Sequence, residues 1–231
     1  MKQELLQIGA VPAIVYGEPS EKVYLFAHGQ CGYKEEAKGF AEIVLEKGWQ
    51  VLSVDLPEHG ERKNETNRFF PWIVVPELRI VWEYLISRWE RIALRANSIG
   101  AWFSLLAFPD ITVEKSLFVS PILDMERLIR DMMTQACVTE TELETKKTIP
   151  TTFGPTLSWE YWLYAKRNPI REWQSLIKIL YGGRDAMTGR ETLDAFCARF
   201  KAELTVMENG EHWFHTGEQL SFLRQWEEQN G

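Results

Sequence analysis

The chain has 231 residues, 45% of them hydrophobic, and a formal net charge of −7 at pH 7. That composition can bury a large core and excludes fibrous and disordered classes. The acidic balance argues against a nucleic-acid or anionic-membrane surface, because holding polyphosphate depends on clustered Lys and Arg.

The expected partner is therefore a small molecule, with no nucleic acid and no membrane. The start, Met-Lys-Gln-Glu-Leu-Leu-Gln-Ile-Gly, lacks the apolar core and cleavage site of a signal peptide. No later run reaches the roughly 18 apolar residues of a membrane span. Together these predict a cytoplasmic protein. Cys31, Cys137 and Cys197 are odd in number and widely spaced, so they are expected to be free thiols, with no disulfide frame and no metal site.

Three β-like stretches open the chain, Leu5 to Ile8, Pro12 to Tyr16 and Lys22 to Ala27, punctuated by Gly9-Ala10 and Gly17-Glu18-Pro19-Ser20. The short connections predict that the first pairings are antiparallel hairpins. The third run is almost entirely apolar, as for a strand buried on both faces, and it ends in His28-Gly29-Gln30-Cys31-Gly32. A helix over Glu35 to Lys47 stops at Gly48, and Gln50 to Asp55 reads as another buried strand. It runs into Leu-Pro-Glu-His59-Gly, where His59 is expected to be structural. Polar residues 63 to 70 precede a helix-periodic segment, Pro71 to Trp89.

Next comes a β-rich run, Ile92 to Arg95, that meets an apolar helical run, Ala101 to Phe108, with few residues between. The chain must turn sharply at Ser98 in Ala96-Asn97-Ser98-Ile99-Gly100. Small residues two before and two after the serine are what such a turn needs, since bulk there would strike the neighbouring strand or the returning helix. Ser98 Oγ would stand at the tip of the turn, at the positive end of the helix. In this small-x-Ser-x-small elbow the sequence resembles the α/β-hydrolase superfamily, small bacterial-type serine hydrolases and esterases with a short cap. Ala96 departs from the commoner glycine at the first small position.

A further strand, Lys115 to Ser120, completes an alternation of strands and amphipathic helices that predicts right-handed crossovers and a parallel sheet covered on both faces. Between Ile122 and Trp173 the alternation stops. Helical stretches at Met125 to Gln135 and Glu140 to Lys147 and a Pro/Thr/Gly loop lead to Ser158-Trp-Glu-Tyr-Trp-Leu-Tyr. On a helix Trp159 and Trp162 share one face, with Tyr161 and Tyr164 on the neighbouring one. Aromatic helical faces are more often packing than substrate box. A small insertion has little core of its own, however, so part of that face is expected to cover the site and to favour an apolar or aromatic substrate portion.

Two late strands carry the remaining chemistry. Ser175 onward ends in Gly182-Gly183-Arg184-Asp185, and Ala202 to Met207 is followed by Gly210-Glu211-His212-Trp213-Phe214-His215. Ser98, Asp185 and His212 follow the Ser…Asp…His order of the resembled superfamily. Serine needs an imidazole to take its proton, and the imidazole needs a carboxylate to fix its tautomer. His215 is the rival base and Asp124 the rival acid. His212 is preferred because it lies in a Gly-x-His turn just after the last strand.

The resemblance implies an α/β-hydrolase fold over 1–231: a mostly parallel sheet of about eight strands, helices on both faces, and a helical cap at 122–173 after strand 6. It implies oxyanion-hole amides at Gln30 and Ile99, a pocket that includes His28, Trp159, Trp162 and Trp213, and no cofactor. His28 is expected to bond its own loop rather than react. The function implied is hydrolysis of a carboxylic ester or related acyl substrate through an acyl-enzyme. A thioesterase, lactonase or small-peptide hydrolase uses the same triad, and a non-catalytic ligand-binding member of the fold is the alternative of another class.

Overall fold

The computed structural model describes residues 1–231. Its first two strands, β1 (Gln3–Ile8) and β2 (Val11–Tyr16), form an antiparallel hairpin across Gly9, and β3 (Lys22–Ala27) follows, buried on both faces. The second expected hairpin does not form. β3 feeds α1 (Lys38–Val44), flanked by short 3-10 turns, and the crossover returns as β4 (Gln50–Val54), which inserts between β2 and β3. The buried side chain of Gln50 helps explain the separation. Its Oε1 accepts from Ser20 N at 3.2 Å and Trp89 Nε1 at 2.8 Å, and its Nε2 donates to Gly17 O at 3.3 Å. The polar groups of the β2–β3 connection are thus satisfied by β4.

From there α2 (Pro71–Ile86) leads to β5 (Arg91–Asn97), α3 (Ser98–Ala107) and β6 (Ser116–Val119). The insertion that follows holds α4 (Met125–Gln135), α5 (Glu140–Lys146), β7 (Thr148–Pro150), β8 (Thr156–Ser158) and α6 (Trp159–Arg167). It is not wholly helical: the Pro/Thr/Gly loop is the turn of a small antiparallel pair, β7 with β8. The chain closes with β9 (Ile177–Gly182), α7 (Arg190–Phe200), β10 (Glu203–Met207) and α8 (Gly217–Asn230). Asp124, Thr139, Ser158 and Thr216 cap α4, α5, α6 and α8, each side chain accepting the amide three residues on.

The sheet runs β1-β2-β4-β3-β5-β6-β9-β10, parallel from β4 to β10 and antiparallel at the β1 edge. Strand alternation divides the interior in two. Val23, Leu25, Leu94 and Ala96 face α2, α3, α7 and the insertion, whereas Tyr24, Phe26 and Ala93 face α1 and α8. Leu128, Met133, Leu143 and Trp162 of the insertion belong to the same continuous core as α2 and α3, so the insertion is packed onto the sheet layer rather than hinged from it. No helix is long and apolar enough to cross a membrane. Because β3, β5, β9 and β10 are parallel, the loops after them open on one edge, where ligands of such sheets sit.

Candidate functional site

β5 delivers the chain extended to Asn97, and Ser98 then takes φ +48° as the first residue of α3. A serine in the left-handed region costs about 1–3 kcal/mol and persists only where its surroundings leave no alternative. Here Ser98 O accepts from Ile122 N at 3.1 Å. A Cβ on Gly100 would run into His28 O and come within 2.7 Å of Ala27 O, so only glycine lets α3 start this close to the end of β3.

Asp185 and His212 lie on loops that interlock backbone to backbone. Gly183 N donates to Met207 O and Arg184 N to Gly210 O, both at 2.8 Å. A Cβ on Gly182 would strike Glu211 O and lie 2.7 Å from Gly210 O, so that strand end also requires glycine. The Asp185 carboxylate is fully buried, yet its oxygens are occupied. Oδ1 accepts from Met187 N at 2.7 Å and Thr188 N at 3.1 Å, and Oδ2 accepts from His212 Nδ1 at 2.7 Å. Thr188 Oγ1 in turn donates to Pro121 O at 2.8 Å, pinning this turn to the end of β6. On its other side His212 presents Nε2 to Ser98 Oγ at 2.8 Å. With Nδ1 donating to the carboxylate, Nε2 is the acceptor and Ser98 Oγ–H the donor.

Ile99 follows Ser98 in α3, and Gln30 follows Gly29 in the loop after β3. Ile99 N lies in the first turn of α3, where no intrahelical acceptor exists. Gly29 lies against the nucleophile loop: its Cβ position is 3.3 Å from Ser98 Cβ. The Gly29–Gln30 peptide is anchored through its oxygen, since His28 Nδ1–H donates to Gly29 O at 2.7 Å while His28 Nε2 accepts from Leu56 N at 3.1 Å. A trans peptide points its N–H opposite to its C=O, so this bond fixes the direction of the Gln30 amide. His59 holds the next residue: its Nε2 accepts from Cys31 N at 2.9 Å and its Nδ1–H donates to Pro57 O at 2.8 Å. Burial pushes His28 down to about 4, against the opposing pull of its bond to Gly29, so the ring is neutral as its two bonds require.

The pocket expectations need correction. His28 is fully buried with both ring nitrogens used inside the protein, so it lines no pocket. Trp162 is 1% exposed and packs in the main core beneath Arg130 and Lys166. Trp159 lies partly buried at the edge of that core, under Lys147. The tyrosine face of α6 is the one turned toward the α3 side. Tyr161 stacks on Trp102, one helical turn beyond Ser98, with ring centroids 6.0 Å apart, and Tyr164 meets Trp72 at 5.8 Å. Periodicity separates two faces of a helix without saying which meets the sheet. Trp213 stands 74% exposed beside His212, stacked on His215. His215 Nδ1–H donates to Trp213 O, and Asp124 caps α4, so neither rival joins the line.

A cavity of about 400 Å³ opens between the insertion and α7, lined by Trp102, Leu123, Ile170 and Phe196 among others, but none of Ser98, Asp185 and His212 lines it. Sequence reading also missed the Met187 and Thr188 amides that hold Asp185. An Asp followed three residues later by Thr before a helix is the signal that would have suggested an Asx-type turn.

No protein-family model and no curated protein sequence matches this chain. Solved structures do. The ferulic-acid complex of Est1E from Butyrivibrio proteoclasticus aligns over 98% of this chain and 96% of its own, at 17% identity and TM-score 0.75. A putative hydrolase from Agrobacterium vitis S4 aligns over 97% of each chain at 14% identity and TM-score 0.77. Mouse alpha/beta hydrolase domain-containing protein 10 aligns over 98% and 96% at 14% identity and TM-score 0.72. At such identities the likeness is one of fold.

Proposed function

Starting from the α/β-hydrolase fold of this chain, we propose that it is a serine hydrolase acting on carboxylic esters or related acyl substrates. The observation that carries this reading is the unbroken hydrogen-bond line from Ser98 Oγ through His212 to the buried Asp185 carboxylate, 2.8 Å and 2.7 Å long.

Ser98 Oγ attacks the substrate carbonyl as His212 Nε2 takes its proton, and the carbonyl electrons move onto oxygen. The Gln30 and Ile99 amides stabilise that oxyanion. Asp185 holds the imidazole in the tautomer that can accept and stabilises the imidazolium. Collapse breaks the acyl–oxygen bond, and His212 returns its proton to the departing alkoxide. Water, deprotonated by His212, then attacks the acyl-enzyme, so a carboxylic acid and free Ser98 are released. Each step uses groups the chain carries, and no cofactor is required. Each oxyanion donor in such sites contributes on the order of 10² to 10³ in turnover.

The test is hydrolysis of p-nitrophenyl esters of graded acyl length by wild type and Ser98→Ala. The expected result is turnover by wild type and a loss on the order of 10⁴ or more in the variant. Equal rates in the two folded proteins would overturn the reading.

A further inference from the structure

Between Ile92 and Ala96 strand β5 alternates apolar side chains between the two cores, except at Arg95, which is 2% exposed and lies on the α8 side. Its guanidinium is enclosed by the rings of Phe26 and Phe40, at 5.3 and 5.8 Å. Arginine is almost never placed there without partners, and each edge of the fork has one. Nε and Nη2 both donate to Glu227 Oε1 on α8, at 2.9 and 2.8 Å. Nη1 turns the other way and donates to Asn97 Oδ1 at 2.6 Å and Ala96 O at 3.2 Å. The charge on the C-terminal helix is thereby connected, through one planar group, to the two residues immediately before Ser98.

Asn97 makes this connection unusual. It occupies the N-cap position of α3, where an Asn side chain ordinarily bonds the first-turn amides, but it caps nothing and gives its oxygen to Arg95. The first-turn amides are thus left free of side-chain capping, Ile99 N among them. Ser98 at φ +48° is held on its C-terminal side by the Ile122 bond and by the contact of Gly100 with the end of β3. On its N-terminal side Ala96 and Asn97 are paired to β3 and β6, and Arg95 adds the side-chain restraint.

We propose that Arg95 is a positioning residue for the nucleophile. Braced by Glu227, it holds Ala96 and Asn97 in the extended geometry that presents Ser98 Oγ to His212, and it draws the Asn97 side chain away from the α3 amides. The inference rests on the serine-hydrolase reading and adds to it a brace that reaches the site from the opposite core. Glu227 is buried, and its side-chain oxygen bonds the Arg95 guanidinium.

The experiment is a double-mutant cycle on the full chain, with Asn97→Ala, Glu227→Leu, which removes the acceptor of Arg95 Nε and Nη2, and the pair, plus Asn97→Asp, which keeps the acceptor. Two rates are read: kcat and KM on a p-nitrophenyl ester, and the bimolecular rate of labelling by a fluorophosphonate. Each is measured well below the variant's own melting midpoint. Misplacing a reacting atom costs up to about 10²-fold. Asn97→Ala should therefore lose about 10- to 100-fold in kcat and in labelling with KM little changed, and Asn97→Asp should recover most of it. The pair should be no slower than the slower single, because both changes break one brace. Labelling of Asn97→Ala at the wild-type rate, or losses that multiply in the pair, would overturn the proposal. A wild-type protein that takes no label would instead remove the hydrolase reading itself.

Discussion

Ser98 has backbone angles that serine adopts only under compulsion, and each neighbour that compels it can be changed singly. Gly100→Ala puts a methyl group into the His28 and Ala27 carbonyls at the end of β3. Overpacking of this kind costs about 1–3 kcal/mol or more, so the urea midpoint should drop and activity should fall with it. A Gly100→Ala protein with unaltered midpoint would mean that α3 starts further from β3. Asp185→Asn tests a different property. The Asn oxygen can still accept from Met187 and Thr188, but its amide would donate to His212 Nδ1, leaving the proton on Nε2, where it cannot accept from serine. The expected outcome is a loss on the order of 10⁴ in kcat with little change in melting temperature. Activity within tenfold of wild type would exclude Asp185 as the group that sets the tautomer.

Among the elements, what could be read from sequence was what local pattern determines. The Ser98 elbow and the strands that lead into Gly182 and Met207 follow from apolar runs that end in turn residues, the order of serine, acid and histidine is read from the resemblance, and these side chains meet within hydrogen-bonding distance. What could not be read was decided by partners distant in sequence. The β2–β3 connection looks like a hairpin until Gln50, 30 residues beyond Ser20, is seen to satisfy its polar groups. Likewise, the tryptophan and tyrosine faces of α6 are equally aromatic, and only the position of Trp102 on α3 determines which one is turned toward it. Arg95 reads as a polar interruption of a strand, because Glu227 is 132 residues away. Gln50→Leu checks this account: it would leave Ser20 N, Trp89 Nε1 and Gly17 O without their partner, for about 2–4 kcal/mol of lost stability. Urea unfolding should register that loss, with kcat unchanged. A neutral substitution would mean that these groups find water instead.

Across the whole molecule, two cores and a set of buried polar groups determine how the protein responds to acid. His28 is held near 4 in the folded chain, against about 6.5 for an unfolded histidine, so between these values the unfolded state binds the extra proton. Its contribution is complete above about 6.5 and is lost as pH falls toward 4, on the order of 3 kcal/mol in all. Glu227 acts in the opposite sense, because burial raises its carboxyl and a proton retained there favours the folded state on acidification. Comparing His28→Gln with wild type isolates the histidine. The variant should be less stable at neutral pH and show a shallower fall in unfolding free energy between pH 6.5 and 4, whereas parallel curves would mean that His28 takes up its proton over the same range folded as unfolded. Loss of its Nε2 bond to Leu56 would loosen the Gly29–Gln30 peptide as well, so acid should weaken the proposed oxyanion hole along with the fold.

The most direct measurement is the site of covalent capture. Native protein is incubated with a fluorophosphonate, digested, and the modified peptide sequenced by mass spectrometry. The account predicts one adduct, on Ser98, that forms far more slowly in His212→Ala and is absent from Ser98→Ala. An adduct on any other side chain, or a folded wild-type protein that takes none, would contradict it.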